Sequence, residues 1–299
     1  MPGSDPRRPQ GRLRKGLAAA LAPLWFGWAL AAAAGPAASA PPLRVVSINL
    51  CTDQMAMLLA APGQLISVSA LARDPVSSAM AEEAQAWPVN HAQAEEVFAL
   101  HPDLVLAGTY SNPATVALLR RMGLRVETVA PVSSLDQLDA TMADVGRALG
   151  REAEAQAMAE RFDADLARLR RDPTDGPRAA SYAANGYSLG NATLAGQVMA
   201  AAGLRNAAAE AGLSHGGTLP LERLLMLDPA VLVTGTRYAA PSRAEAILDH
   251  PALSALVAQG THRAEIADRD WICGTPHVLD ALRALERAGD AAKGSGTAP

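Results

Sequence analysis

What most constrains this chain is a rhythm of short apolar runs alternating with amphipathic stretches, which stops midway and then resumes. Such alternation marks strand–helix–strand units that build a parallel sheet. Leu43–Asn49, Leu65–Ser69, Asp103–Gly108 and Leu124–Ala130 are predicted as strands, with helices over Thr52–Ala61, Glu95–Leu100 and Pro113–Met122. Pro62-Gly63 and Gly123 stop two of those helices. From Ser134 to Arg171 only helix is predicted. Gly150 divides it in two, and in the second part Met158, Phe162, Leu166 and Leu169 recur at helical spacing. The breaker Asp172-Pro173-Thr174-Asp175-Gly176-Pro177 ends that helix. Beyond it, strands are predicted at Arg178–Ala184, Ala230–Gly235 and Arg263–Ala267, among helices Thr193–Ala202, Leu219–Leu227, Ser242–Ala258 and Pro276–Ala288. The expected fold class is therefore α/β: two Rossmann-like lobes with parallel sheets, joined by a single long helix. The expected limits are 41–149 for the first lobe, 150–172 for the linking helix, 177–290 for the second lobe and 291–299 for a disordered tail.

Residues 1–40 are set apart from this plan. Arg7, Arg8, Arg12, Arg14 and Lys15 precede the apolar run Leu17 to Ala34, and Ala38-Ser39-Ala40 offers a small-residue cleavage site. That order reads as an export signal, and the alternative is an uncleaved membrane anchor. Its removal takes the net charge from −4 to about −8. An acidic chain with 19% charged residues and 49% hydrophobic residues is neither a polybasic nucleic-acid binder nor a disordered polymer. The 2 cysteines exclude a four-thiolate zinc or iron–sulfur centre.

The two halves echo each other. Glu95-Glu96-Val97-Phe98-Ala99-Leu100-His101-Pro102 overlays Glu222-Arg223-Leu224-Leu225-Met226-Leu227-Asp228-Pro229 at a constant offset of 127 residues. The match runs through the following strand to Gly108-Thr109 and Gly235-Thr236. It predicts two related lobes, each with an acid at the same place.

At this point the sequence resembles the periplasmic solute-binding proteins of iron-chelate and cobalamin ABC importers, over roughly residues 43–288. The resemblance is carried by Arg44-Val45-Val46-Ser47-Ile48-Asn49, by Leu100-His101-Pro102-Asp103-Leu104-Val105-Leu106, and by Gly123-Leu124-Arg125-Val126. It continues in the long helix after Gly150, in Ala202-Gly203-Leu204-Arg205-Asn206 and in Leu219-Pro220-Leu221-Glu222. It implies a class III periplasmic binding protein: a monomer that captures a metal chelate (ferric siderophore, haem or corrinoid) between its lobes without chemistry, cofactor or nucleic acid. It further implies a periplasmic location and delivery to an inner-membrane ABC permease, with Glu95 and Glu222 docking onto the transporter.

Ligands of parallel sheets bind beyond the carboxyl ends of the strands. By position the cleft lining is expected from Asn49, Cys51 and Thr52, then Arg73 and Tyr110 in the first lobe, and Tyr187, Arg237, Tyr238, Trp271 and Cys273 in the second. Cobalamin-binding relatives place aromatics where this chain has Leu71 and Gly108, whereas Arg73 and Arg237 suit a chelate bearing carboxylates, which a guanidinium grips bidentately. Cys51 and Cys273 have three readings: a disulfide adding about 4–5 kcal/mol by constraining the unfolded chain, two thiols gripping a soft metal, or two unrelated buried cysteines. His215, in a glycine-rich loop, is the one histidine placed to reach the cleft. Competing readings are an exported α/β enzyme using a cleft cysteine and a membrane-tethered sensor or scaffold. No Gly-x-Ser-x-Gly elbow, P-loop or zinc-protease motif supports the enzyme.

Overall fold

A computed structural model describes residues 40–237 and 242–295. The expected export signal, apart from Ala40, and Tyr238 lie outside the described residues. Strands β1 (Val45–Ser47), β2 (Leu65–Ser69), β3 (Val89–Asn90), β4 (Leu104–Gly108) and β5 (Val126–Val129) form one sheet in the order β3-β2-β1-β4-β5. All its pairings are parallel. Strands β6 (Arg178–Ser181), β8 (Arg205–Asn206), β10 (Val231–Thr234) and β11 (His262–Glu265) form a second parallel sheet, in the order β11-β10-β6-β8. Between them in the chain, β7 (Tyr187–Leu189) and β9 (Gly216–Thr218) pair as a short antiparallel ribbon.

Each sheet is covered on both faces, as parallel sheets require. The outer face of the first carries α2 (Ala94–Ala99) and α3 (Pro113–Arg121), with Val97 and Leu119 packed on Val46 and Val105. The outer face of the second carries α7 (Ala207–Glu210), α8 (Leu221–Leu227) and α9 (Pro251–Ala258), which bury Leu224 and Leu253 on Ala180 and Leu232. The inner faces meet α1 (Leu50–Leu59), α4 (Leu138–Leu149), α5 (Glu152–Leu169), α6 (Leu194–Ala201) and α10 (Val278–Ser295) in one continuous apolar cluster.

The linking helix is part of that cluster. Helix α5, 18 residues long and so about 27 Å, buries Ala155, Met158, Ala159, Phe162 and Leu166. It packs on α4 so closely that a Cβ at Gly146 would lie 2.4 Å from that of Ala155. Gly150 turns the chain between the two helices at φ +68°, the left-handed conformation that favours glycine. At its far end Arg171 pairs with Glu286 at 2.8 Å and Asp290 at 2.7 Å on α10. The lobes are thus joined by shared core as well as by a helix.

The internal echo is present in the backbone. The strand order β2-β1-β4-β5 in the first sheet matches β8-β6-β10-β11 in the second. His101 and Asp228, at the 127-residue offset, both adopt positive φ (48° and 45°) before their prolines. Val97 and Leu224 are the equivalent fully buried residues of α2 and α8.

Two expectations differ from the structure. The predicted helix Ser242–Ala258 is a 3-10 segment, Arg243–Asp249, followed by α9. Pro251 holds His250 extended, and the His250 ring caps α9 through the Ala252 N–H at 3.2 Å. Helix α10 runs to Ser295, into the segment expected to be disordered, because Ala292 still packs against the core.

Candidate functional site

The segments that follow β1 and β11 meet at one seam. Asn49 caps α1 by accepting from the Cys51 and Thr52 N–H groups at 3.1 and 3.4 Å. The cap fixes Cys51 in the first turn, where it is bonded to Cys273 in the loop after β11. Loops from the carboxyl ends of both sheets therefore meet. Beside this bond Gly274 abuts Val132, so that a Cβ there would fall 2.3 Å from the valine Cβ. Two hydrogen bonds also cross the seam: Leu135 N–H to Gln197 Oε1 at 3.1 Å, and Arg269 Nη1 to the Pro75 carbonyl at 2.9 Å.

Strand β4 ends in Gly108 and β10 is followed by Gly235, and each glycine makes room for a polar side chain. A Cβ at Gly108 would lie 2.8 Å from Asn49 Nδ2, and one at Gly235 would lie 2.9 Å from Asp268 Oδ1. Beside Asp268 a pocket of about 300 Å³ is lined by Leu189, Thr193, Leu194, Trp271 and Ile272. That is the low end of small-molecule sites. The strand-end loops also carry exposed apolar side chains: Leu71 (54% exposed) and Tyr110 (85%) from the first sheet, Tyr187 (47%) and Ile272 (56%) from the second. Apolar surface left out at a seam marks an interaction site.

Several expected cleft residues have other work. Thr52 is buried, its hydroxyl bonded to Ser47 Oγ at 2.8 Å and to the Asn49 carbonyl at 3.0 Å, so it does not reach a ligand. Arg73 donates to the carbonyls of Ala84, Gln85 and Trp87, pinning the segment before β3. Arg237 pairs with Asp249 at 2.8 Å. Both guanidinia thus already have partners in this structure, Arg73 on backbone carbonyls and Arg237 in an exposed ion pair. Trp271 is 8% exposed and belongs to the core as well as to the pocket wall. Tyr187 lies over Gly216, whose Cβ would be 2.6 Å from the tyrosine Oη. His215 is exposed and bonds Ser214 Oγ at 3.2 Å. Among the described residues no group of three His, Cys, Asp or Glu could hold a metal ion. Bonded to each other, the two cysteines offer neither a nucleophilic thiolate nor soft-metal ligands, which overturns both thiol readings.

Sequence reasoning missed Asp268, Arg269 and Ile272. Their signal was present: Asp268-Arg269-Asp270 is a charged run placed directly after a strand. Burial holds the Asp53, Asp268 and Asp270 carboxyls above the usual range, Asp53 at about 6. Asp53 is held by the Ser69 hydroxyl at 2.5 Å and the Ser69 N–H at 3.1 Å, beneath the seam.

Twin parallel sheets with their strand ends facing across a pinned seam define a two-lobed α/β binding fold. The chain belongs to the Periplasmic binding protein family, whose match covers residues 45–264. It is similar to a cobalamin-binding protein of Halobacterium salinarum, 29% identical over 199 residues, or 65% of this chain. The matched stretch is 54% of that relative, so this chain spans about half its length. Among solved structures it is similar to the periplasmic heme-binding protein RhuT from Roseiflexus sp. RS-1 (22% identity, 85% of this chain, 99% of that one, TM-score 0.67). It is similar also to the periplasmic vitamin B12 binding protein BtuF of Vibrio cholerae (19% identity, 86% and 99%, TM-score 0.62). At those identities the structures speak for the fold.

Proposed function

We propose that this chain is the exported receptor of an ABC importer, a periplasmic monomer that captures a metal chelate between its lobes and hands it to an inner-membrane permease. The observation that carries this reading is the meeting of strand-end loops from both sheets at the Cys51–Cys273 bond, and the exposed Leu71, Tyr110, Tyr187 and Ile272 of the segments after the strands support it as the cleft lining. Family membership supports the same role, and the similar proteins named for cobalamin and heme point to a chelate. Binding would need no chemistry: a preformed apolar cleft sheds water onto a flat ligand.

Delivery falls to Glu95 on α2 and Glu222 on α8, both exposed and without an ion pair among the described residues. Two carboxylates at equivalent points of a rigid body orient a basic partner and speed its encounter. No described helix is long and apolar enough to cross a membrane. The test is to purify the exported protein and record its absorption and mass spectra, then to titrate it with cyanocobalamin, haemin and a ferric hydroxamate. Micromolar or tighter binding of one of these supports the receptor. A folded protein that binds none of them overturns it.

A further inference from the structure

The pocket beside Trp271 holds one polar side chain that is without a partner among the described residues. Its walls are apolar, from Leu189, Leu194, Trp271 and Ile272. Thr193 is committed, donating to the Gly190 carbonyl at 2.7 Å and accepting from the Gly196 N–H at 3.1 Å. Asp268 is not: its carboxyl has no hydrogen bond or ion pair among the described residues, although it is half-buried and lodged over Gly235. Burial raises its pKa, with no charged neighbour contributing. A carboxyl left half-dry without a donor is costly, and a ligand that brings the donor recovers that cost.

The cations of the same loops, by contrast, already have partners. Arg73 is spent on backbone carbonyls and Arg237 on Asp249. Arg269 donates to the Pro75 carbonyl and lies 3.7 Å from Asp270. Among the described residues these loops thus present an unpartnered carboxyl and no unpartnered guanidinium.

We propose that Asp268 sets the ligand specificity of this cleft, accepting from a primary amide or ammonium on the chelate's rim and rejecting chelates whose rim carries carboxylates there. Resting on the receptor reading, this narrows it to amide-bearing corrinoids over carboxylate-bearing haem and carboxylate siderophores. A rim amide would enter the pocket with its NH₂ toward Asp268 and its hydrocarbon arm along Trp271 and Ile272. A rim carboxylate would meet like charge in a half-desolvated site, the kind of mismatch that discriminates more strongly than lost apolar contact.

The test uses the protein with Trp87 replaced by phenylalanine, which leaves Trp271 as the sole tryptophan after residue 40 and so a reporter of pocket occupancy by quenching. The probes are cyanocobalamin, the set of corrinoid monocarboxylates made by hydrolysing its rim amides one at a time, haemin and a ferric hydroxamate. The expected result is that at least one monocarboxylate binds about ten- to a hundredfold more weakly than cyanocobalamin. In Asp268→Asn, an isosteric change that keeps an acceptor and removes the charge, that gap closes. In Asp268→Lys it inverts. Equal binding of every monocarboxylate, or a gap that persists in Asp268→Asn, overturns the proposal alone. Binding of haemin or a ferric hydroxamate with no binding of any corrinoid also overturns this proposal alone, whereas failure of every one of these probes, the ferric hydroxamate included, overturns the receptor reading and this proposal with it.

Discussion

Replacing Cys51 and Cys273 together by serine removes a cross-link between residues 222 apart. In the chain-entropy account, opening a loop of that length frees the unfolded ensemble by about 5 kcal/mol. The native state should change little. Gly274 still abuts Val132, Leu135 still reaches Gln197, and the apolar cluster through α4, α5 and α10 still joins the lobes. The loss therefore falls on the unfolded side. For a domain of this size it lowers the melting temperature by about 10 °C. It also raises the denaturant m-value, because an unlinked chain exposes more surface.

The assay is urea unfolding of the wild type, oxidised and reduced, beside the double variant, with thiols titrated in denaturant. No thiol should react before reduction and two should react after it. The reduced wild type and the double variant should unfold together. A stability loss under about 1 kcal/mol, or a loss with an unchanged m-value, would refute the unfolded-state argument.

Other perturbations test other parts of the molecule. Asp53 keeps its proton to about pH 6 in the fold, whereas in the unfolded chain it loses it near 3.8. The folded state thus binds more protons between those values, and stability falls as pH rises from about 4 to 6, by up to about 3 kcal/mol. Asp53→Asn should remove that fall, read as urea midpoints from pH 4 to 7; an unchanged slope argues against it. Gly274→Ala should push Val132 away and cost about 1–3 kcal/mol by overpacking, whereas Gly63→Ala, with open space around its Cβ position, should cost only the strain of its positive φ, about 1 kcal/mol. Charge reversal at both Glu95 and Glu222 should abolish uptake while leaving ligand affinity intact; lost affinity would disprove docking. Arg44→Ala and Arg178→Ala should each cost about 0.5–1.5 kcal/mol by removing the donors to the carbonyls that end α2 and α8, with uptake falling more than ligand binding.

The fold was legible because its signals are local. Gly150 ends α4 in the left-handed conformation, Asn49 and Asn112 cap α1 and α3 with their side chains, and Met158, Phe162 and Leu166 line the buried stripe of α5. What sequence could not supply was commitment at the site. Arg73 and Arg237 look like free cations until backbone carbonyls of residues 84–87 and the Asp249 carboxylate are seen to hold them. The β7–β9 ribbon escaped for a similar reason: Gly216 and Gly217 have no side chains to alternate, and the Tyr187 ring, not a propensity, explains why a glycine stands at 216. The lobe-spanning core was hidden too, because periodicity shows which face of a helix is apolar but not what covers it.

The duplicated architecture explains where the two acids stand. In the first lobe Arg44, just before β1, donates to the Leu100 carbonyl at 2.7 Å and the His101 carbonyl at 3.1 Å, closing the end of α2. In the second, Arg178 at the start of β6 donates to the Leu227 carbonyl at 2.7 Å, closing the end of α8. Leu100 and Leu227 are themselves related by the 127-residue offset. A cation on the last carbonyls of a helix satisfies groups the helix leaves unpaired and opposes its dipole. In both lobes it does so from the start of the sheet's first strand, so each short helix is fastened to the sheet of its lobe. Glu95 and Glu222 inherit that fixity. Their separation is then set by the sheets, the shared core and the pinned seam, none of which a ligand at the strand ends needs to disturb.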